Sequence, residues 1–130
     1  MPQPPESHVQ ARTESGVLVL TIMEKQLTGE DLCVAIRDEL VEAAQQESCK
    51  VIVDFHPVEY VSSVAFLTLL GLHRQVREMG GRLVLCNLSP PVAEVFKATR
   101  LLIDSHSSPS LFEEQPTVPA AIAFLNGSSG

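Results

Sequence analysis

Two adjacent serines, Ser62 and Ser63, stand where a short loop runs into an apolar segment of helical periodicity. A serine at a helix N-terminus has a structural use, because its hydroxyl accepts hydrogen bonds from backbone N–H groups that lack a partner in the first turn. It also has a chemical use, because a phosphate placed there meets the positive end of the helix dipole. The pair is therefore a candidate site of reversible phosphorylation, and helix capping is the alternative interpretation.

Other kinds of chemistry have weaker support. Asp54, His56 and a serine are the residue types of acyl transfer, but no G-x-S-x-G turn is present to carry a nucleophile. The sequence also has no G-x-x-x-x-G-K-[ST] or G-x-G-x-x-G loop that could bind phosphates. The histidines are not at metal-ligand spacing, and the cysteines are too far apart for a zinc site (Cys33, Cys49 and Cys86). We therefore predict a protein that is not an enzyme and that uses no metal or cofactor.

Length and charge restrict the class of protein further. The chain has 130 residues, a net charge of −7 and 45% hydrophobic residues, which suits one globular domain. An acidic chain is a poor general ligand for nucleic acid, because neutralising phosphates requires clustered Lys and Arg. No apolar run is long enough to span a membrane, and residues 1–15 lack the apolar core of a signal peptide. We expect a cytoplasmic protein whose partner is another protein.

The segments on either side of the serines are predicted to alternate between strands and helices. Apolar runs predict strands, and apolar spacings of three and four predict helices. The strands are expected at Val17–Met23, Lys50–Phe55, Arg82–Asn87 and Leu111–Glu114, and the helices at about 29–47, Ser63–Met79, Ser89 to Thr99 and Val118–Leu125. This order predicts an α/β domain with a mostly parallel sheet of four or five strands flanked by about four helices. Residues 1–15 are expected to form a disordered segment, 16–126 the domain and 127–130 a frayed tail.

A known family has the same pattern. The stretch from Val51 to Leu101 reads VIVDFHPVEYVSSVAFLTLLGLHRQVREMGGRLVLCNLSPPVAEVFKATRL. It resembles the STAS domain, named for sulfate transporters and anti-sigma factor antagonists, in which a strand ending in Asp leads through an Asp-Ser-Ser/Thr-Gly motif into a helix. A Gly-Gly turn, a strand ending near Asn and a helix that begins with Ser-Pro follow in that family. The resemblance covers about residues 16–126 and implies a mixed sheet flanked by helices.

The resemblance implies a regulatory role. In the bacterial antagonists, an anti-sigma factor that is also a serine kinase phosphorylates the first serine of the motif, and phosphate abolishes binding. Ser62 falls at that position and Ser63 follows it, whereas Val61 replaces the motif Asp and Val64 replaces the Gly. If the missing acid limits the site, Val61→Asp should raise phosphorylation of Ser62. Two functions stay open: an antagonist that binds an anti-sigma factor or serine kinase, and a phosphorylation-independent scaffold or small subunit of a transporter or signalling complex.

The helix after the serines also suggests a partner surface. Its seam of Ala65, Leu69, Leu72, Val76 and Met79 is expected to face the core. Phe66, Leu70 and Leu67 fall at about 100°, 140° and 200° from Ala65, so they lie off the seam. Either another element covers them, such as the third helix or the loop around Tyr60, or they contact a partner. In the second case the surface comprises Val61, Ser62, Ser63, Phe66, Leu67, Leu70 and Arg74, with Arg77 also at its rim.

Overall fold

The computed structural model describes residues 8–46, 50–103 and 113–127. Seven strands and four helices form in this part of the chain. In chain order they are β1 (Val9–Glu14), β2 (Val17–Ile22), β3 (Gln26–Leu27), α1 (Glu30–Gln46), β4 (Lys50–Asp54), β5 (Tyr60–Val61), α2 (Ser63–Glu78), β6 (Arg82–Cys86), α3 (Pro90–Ile103), β7 (Glu113–Gln115) and α4 (Val118–Leu125).

Five strands make one mixed sheet in the order β1-β2-β4-β6-β7. β1 is antiparallel to β2, and the other neighbours are parallel. The side chains of β2, and those of β4 and β6 after their first residues, are buried on both faces, which explains their continuous apolar runs. The predicted α/β domain with a mostly parallel sheet and four helices is confirmed.

Helices cover both faces of this sheet. One face carries Leu18, Val51 and Leu83, which share a core with residues of α1, α2 and α3. The other face carries Val17 and Ile52, which pack with α4. Because β4 and β6 lie inside the sheet, their carboxyl ends are fixed from both sides. The loop that leads to the two serines starts at such an end.

The structure differs from the prediction of a disordered segment over residues 1–15, because Val9–Glu14 form β1. A two-residue turn with positive φ at Ser15 and Gly16 folds this strand back onto β2. The polar composition of β1 gives no strand signal, because this strand lies at the edge of the sheet and exposes most of its side chains. Only Val9 is buried, opposite Ile22. Residues 1–7 and 128–130 lie outside the described residues.

Other element ends differ less. α3 continues to Ile103, past the predicted end near Thr99, and β7 is Glu113–Gln115, with residues 111 and 112 outside the described part. Thr117 caps α4, since its hydroxyl accepts a hydrogen bond of 3.2 Å from the Ala120 amide. Ser89 does not cap α3 through its side chain: its hydroxyl oxygen is buried without a hydrogen-bond partner.

Candidate functional site

The serines are positioned by a tight loop that begins at the end of β4. A carboxylate oxygen of Asp54 accepts a hydrogen bond of 2.9 Å from the His56 amide. The Val58 amide then donates to the Phe55 carbonyl at 2.8 Å, and Glu59 and Tyr60 donate their amides to the Lys25 carbonyl at 2.7 and 3.1 Å. These bonds reverse the chain and align β5 beside β3, so the segment before the serines, which the sequence predicts to be a loop, contains a short strand.

Asp54 joins this loop to the neighbouring strands. It is only 6% exposed and accepts hydrogen bonds from the Thr21 hydroxyl at 3.3 Å and the Asn87 side-chain amide at 2.9 Å. Burial, and secondly the charge of Asp54, raise the pKa of Cys86 to about 12, so this thiol stays protonated at neutral pH. The carboxylate therefore connects the ends of β2, β4 and β6, where ligands and partners of open α/β sheets commonly bind.

Ser62 and Ser63 are brought to the start of α2, but they differ in environment. Ser62 is the N-cap residue and is half-buried; its amide donates to the Leu27 carbonyl at 2.9 Å and its hydroxyl to the same oxygen at 3.4 Å. Its side chain makes no capping hydrogen bond to α2. Ser63 is the first residue of the helix and is exposed. Ser63 is thus the more exposed residue of the two.

Val61 cannot be a surface contact, so its assignment to the partner surface is wrong. Its side chain is fully buried and belongs to the main core. The register of β5 explains this, because Val61 pairs with Leu27, which is also buried, while the alternate residue Tyr60 points outward and is 47% exposed. An acid at Val61 would enter apolar surroundings, so the expectation that Val61→Asp restores a phosphorylation motif has no geometric basis.

The assignment of Phe66 to the partner surface is wrong as well. Phe66 is 1% exposed and packs edge-to-face on Phe96 of α3, with ring centroids 5.4 Å apart. The alternative expectation, that the third helix covers this side of α2, is confirmed for Phe66. Leu70 is half-buried and packs against the core.

The side of α2 that follows Ser63 is nevertheless partly exposed. Leu67 is 53% exposed and Val64 is 37% exposed. At about 100° per residue, Ser63, Leu67, Leu70 and Arg74 fall within a sector of roughly 60° on α2. We call these four residues the α2 stripe. The outward position of Tyr60 and the exposure of Val64 were not predicted from the sequence, which carries no periodic signal for either.

Within the described ranges, no group of three or more His, Cys, Asp or Glu residues is arranged to hold a metal ion. None of the helices described above has the length and apolar character needed to cross a membrane.

Comparisons with known proteins match this geometry. The STAS domain family model matches residues 8–113. The "Putative anti-sigma factor antagonist BtrV" of Bordetella bronchiseptica is 34% identical over 64 residues, which are 49% of this chain and 55% of BtrV, so the match spans about half of that relative. The structure of the anti-sigma factor antagonist SpoIIAA in its unphosphorylated form has a TM-score of 0.68 at 22% identity, covering 92% of this chain and 98% of SpoIIAA.

A membrane transporter contains a similar fold. The murine Slc26a9 anion transporter aligns with a TM-score of 0.71 at 14% identity, covering 89% of this chain but 18% of the transporter. At these identities the structural likenesses establish the fold, and they place that fold in both antagonists and a transporter. The fold, the strand-to-helix serine loop and the family match over residues 8–113 lead to one assignment: the chain belongs to the STAS domain family.

Proposed function

We propose that this domain is a regulator of the anti-sigma factor antagonist type, which binds an anti-sigma factor or serine kinase through the α2 stripe and is switched by phosphorylation beside it. The observation that supports this most directly is the exposed Ser63 one turn before the exposed Leu67. The likeness to BtrV and SpoIIAA supports the class of partner. The proposed role is cytoplasmic and non-catalytic.

Ser63 is the preferred phosphate acceptor, and Ser62 is the second candidate. A kinase would have to displace the Ser62 hydroxyl from the Leu27 carbonyl and open the β3–β5 pairing beside it. Ser63 is exposed on the first turn of α2, where a phosphate is favoured by the helix dipole. The same phosphate would put about two negative charges next to Leu67, so an apolar partner surface could no longer bind without a large desolvation penalty.

The second candidate is a phosphorylation-independent scaffold, for example in a transporter or signalling complex. The observation that favours it is the departure from the family's phosphorylation motif, because a buried, apolar Val61 stands before Ser62 where the motif has Asp. In this case the α2 stripe binds its partner constitutively.

The test pairs the purified chain with each serine-kinase-type anti-sigma factor encoded in the genome of its source, one at a time. Binding is measured by titration calorimetry, and phosphate incorporation with ATP is measured by intact mass. We expect one kinase to bind and to add one phosphate, Ser63→Ala to abolish that addition and Ser62→Ala to retain it. Loss of phosphate only in Ser62→Ala would reverse the assignment of the acceptor. Binding without phosphorylation would support the scaffold, and absence of binding to every kinase would refute the antagonist role.

A further inference from the structure

A short segment between β2 and α1 lies against the loop that leads to the serines. Residues 25–28 contain β3, whose pairing with β5 is two residues long on each strand. The Lys25 carbonyl accepts two backbone amides of that loop, and the Leu27 carbonyl accepts both the amide and the hydroxyl of Ser62. The segment therefore holds the Ser62 hydroxyl in its half-buried position.

One buried side chain anchors this segment to the domain. Leu27 is 2% exposed, whereas Lys25, Gln26 and Thr28 are exposed. Segments with few buried apolar contacts open most easily in a folded protein, and an isolated pair of short strands is marginally stable in water. Opening residues 25–28 therefore exposes far less apolar surface than unfolding the five-stranded sheet does.

The two flanks of the segment limit how far such an opening spreads. On one side, a carboxylate oxygen of Glu24 lies 2.7 Å from the His8 Nδ1, and the Met23 amide donates to the His8 carbonyl at 2.8 Å. On the other side, Gly29 has a φ of +86°, and an added Cβ would meet nothing within 4 Å. The backbone conformation alone requires glycine there, which suits a hinge directly before α1.

The anchoring side chain lies beside a buried thiol. Leu27 lines a small void together with Ile22, Cys33 and Ala65. Cys33 is 1% exposed, and burial raises the pKa of its thiol, so the thiol is protonated and unreactive while Leu27 is in place. Withdrawal of Leu27 would open this void to solvent, and Cys33 is therefore a natural reporter of the opening.

We infer that residues 25–28 form a lid over Ser62, which opens by local unfolding while the rest of the domain stays folded. This inference rests on the proposed function and adds a regulation of the same site to it. With the lid closed, Ser63 is the exposed serine of the pair. With the lid open, the Ser62 hydroxyl is released from the Leu27 carbonyl and can be offered to a kinase.

Thiol labelling of the wild-type chain tests the opening and needs no kinase. Iodoacetamide is added to the folded chain at pH 8, and peptide mass follows Cys33 and Cys86, which are both buried. A local opening predicts that Cys33 reacts at least about 10-fold faster than Cys86. Dilute urea should accelerate Cys86 but hardly Cys33, because global unfolding exposes much more surface. Equal rates with equal urea dependence would overturn the inference and leave the proposed function intact.

A matched pair of glycine variants tests the hinge. Gly29→Ala strains the closed lid, and because opening relieves that strain, Cys33 labelling should accelerate by about 5-fold. The control is Gly16→Ala in the turn between β1 and β2, where φ is +78° and the space around a Cβ is also empty. Lid opening does not relieve this second strain, so Cys33 should react as in the wild type, although easier global unfolding accelerates Cys86 in both variants. An equal acceleration of Cys33 by both variants would overturn the inference.

The kinase that phosphorylates the wild-type chain tests the use of the lid. In a Ser63→Ala background, Gly29→Ala should make phosphate addition at Ser62 about 5-fold faster, and Gly16→Ala should not change it. Unchanged addition at Ser62 in a variant whose Cys33 labelling is accelerated would refute the regulation by the lid. If no kinase phosphorylates the wild-type chain, the proposed function and this regulation fail together, while the labelling rates still decide whether the lid opens.

Discussion

Val61→Asp tests whether the side chain at the motif position points into the core, and the structure predicts that this substitution strongly destabilises the domain. The Val61 side chain is fully buried in the main core. Removing it loses about 1.5–3 kcal/mol of apolar burial. Leaving a buried carboxylate without a partner costs a further 3–5 kcal/mol or so. The sum is comparable to the whole stability of a typical domain, about 5–15 kcal/mol.

The matched control is Val64→Asp, the same substitution three residues further along. Val64 is 37% exposed and lies in the first turn of α2, where an acid is favoured by the helix dipole. Its stability should change by no more than about 0.5 kcal/mol. Urea unfolding followed by far-UV circular dichroism measures both, because the chain has no tryptophan for fluorescence.

The pH dependence provides a second criterion. Burial raises the pKa of the introduced carboxyl in the folded state above its unfolded value of about 3.9. The folded state then binds the extra proton, so the free energy of unfolding of Val61→Asp should rise, relative to wild type, as the pH is lowered toward 4. If Val61→Asp loses no more stability than Val64→Asp at neutral pH, the inward position of Val61 is wrong.

Three further predictions concern the core and the loop. Phe66→Ala should cost about 3–5 kcal/mol in urea unfolding, whereas Leu67→Ala should stay within about 0.5 kcal/mol; equal losses would contradict the assignment of Phe66 to the core. Asp54→Ala should cost about 3 kcal/mol or more, because three donors lose a buried acceptor, and amide exchange should accelerate most in the loop over residues 56–62; uniform acceleration would argue against a local role. Cys86, buried and with its pKa raised to about 12, should resist iodoacetamide at pH 8 in the folded protein and react in urea, as read by peptide mass; equal rates in both states would refute its burial.

Local patterns of the sequence determine most of the elements that carry the site. The continuous apolar run at Lys50–Asp54 predicts a strand that is buried on both faces, and the 3.6-residue periodicity after Ser62 predicts a helix. The Gly-Gly pair after α2 specifies the C-terminal end of that helix, because Gly80 adopts a positive φ. Thr117 specifies the start of α4, because its hydroxyl caps that helix. These signals, with the motif around the serines, are sufficient for the family and for the pair of candidate acceptors.

What the tertiary structure decided is which side of each element is covered. Phe66 and Leu67 are both apolar and adjacent, yet α3 packs on the first through Phe96 and leaves the second exposed. Val61 is buried because β5 pairs with β3, more than thirty residues earlier, and β1 is a strand because β2 pairs with it. The periodicity of a segment predicts which of its faces are apolar. It does not predict which of those faces is covered, because the covering neighbour comes from a distant part of the chain. The exposed surface that is available to a partner therefore emerges only once those neighbours are in place.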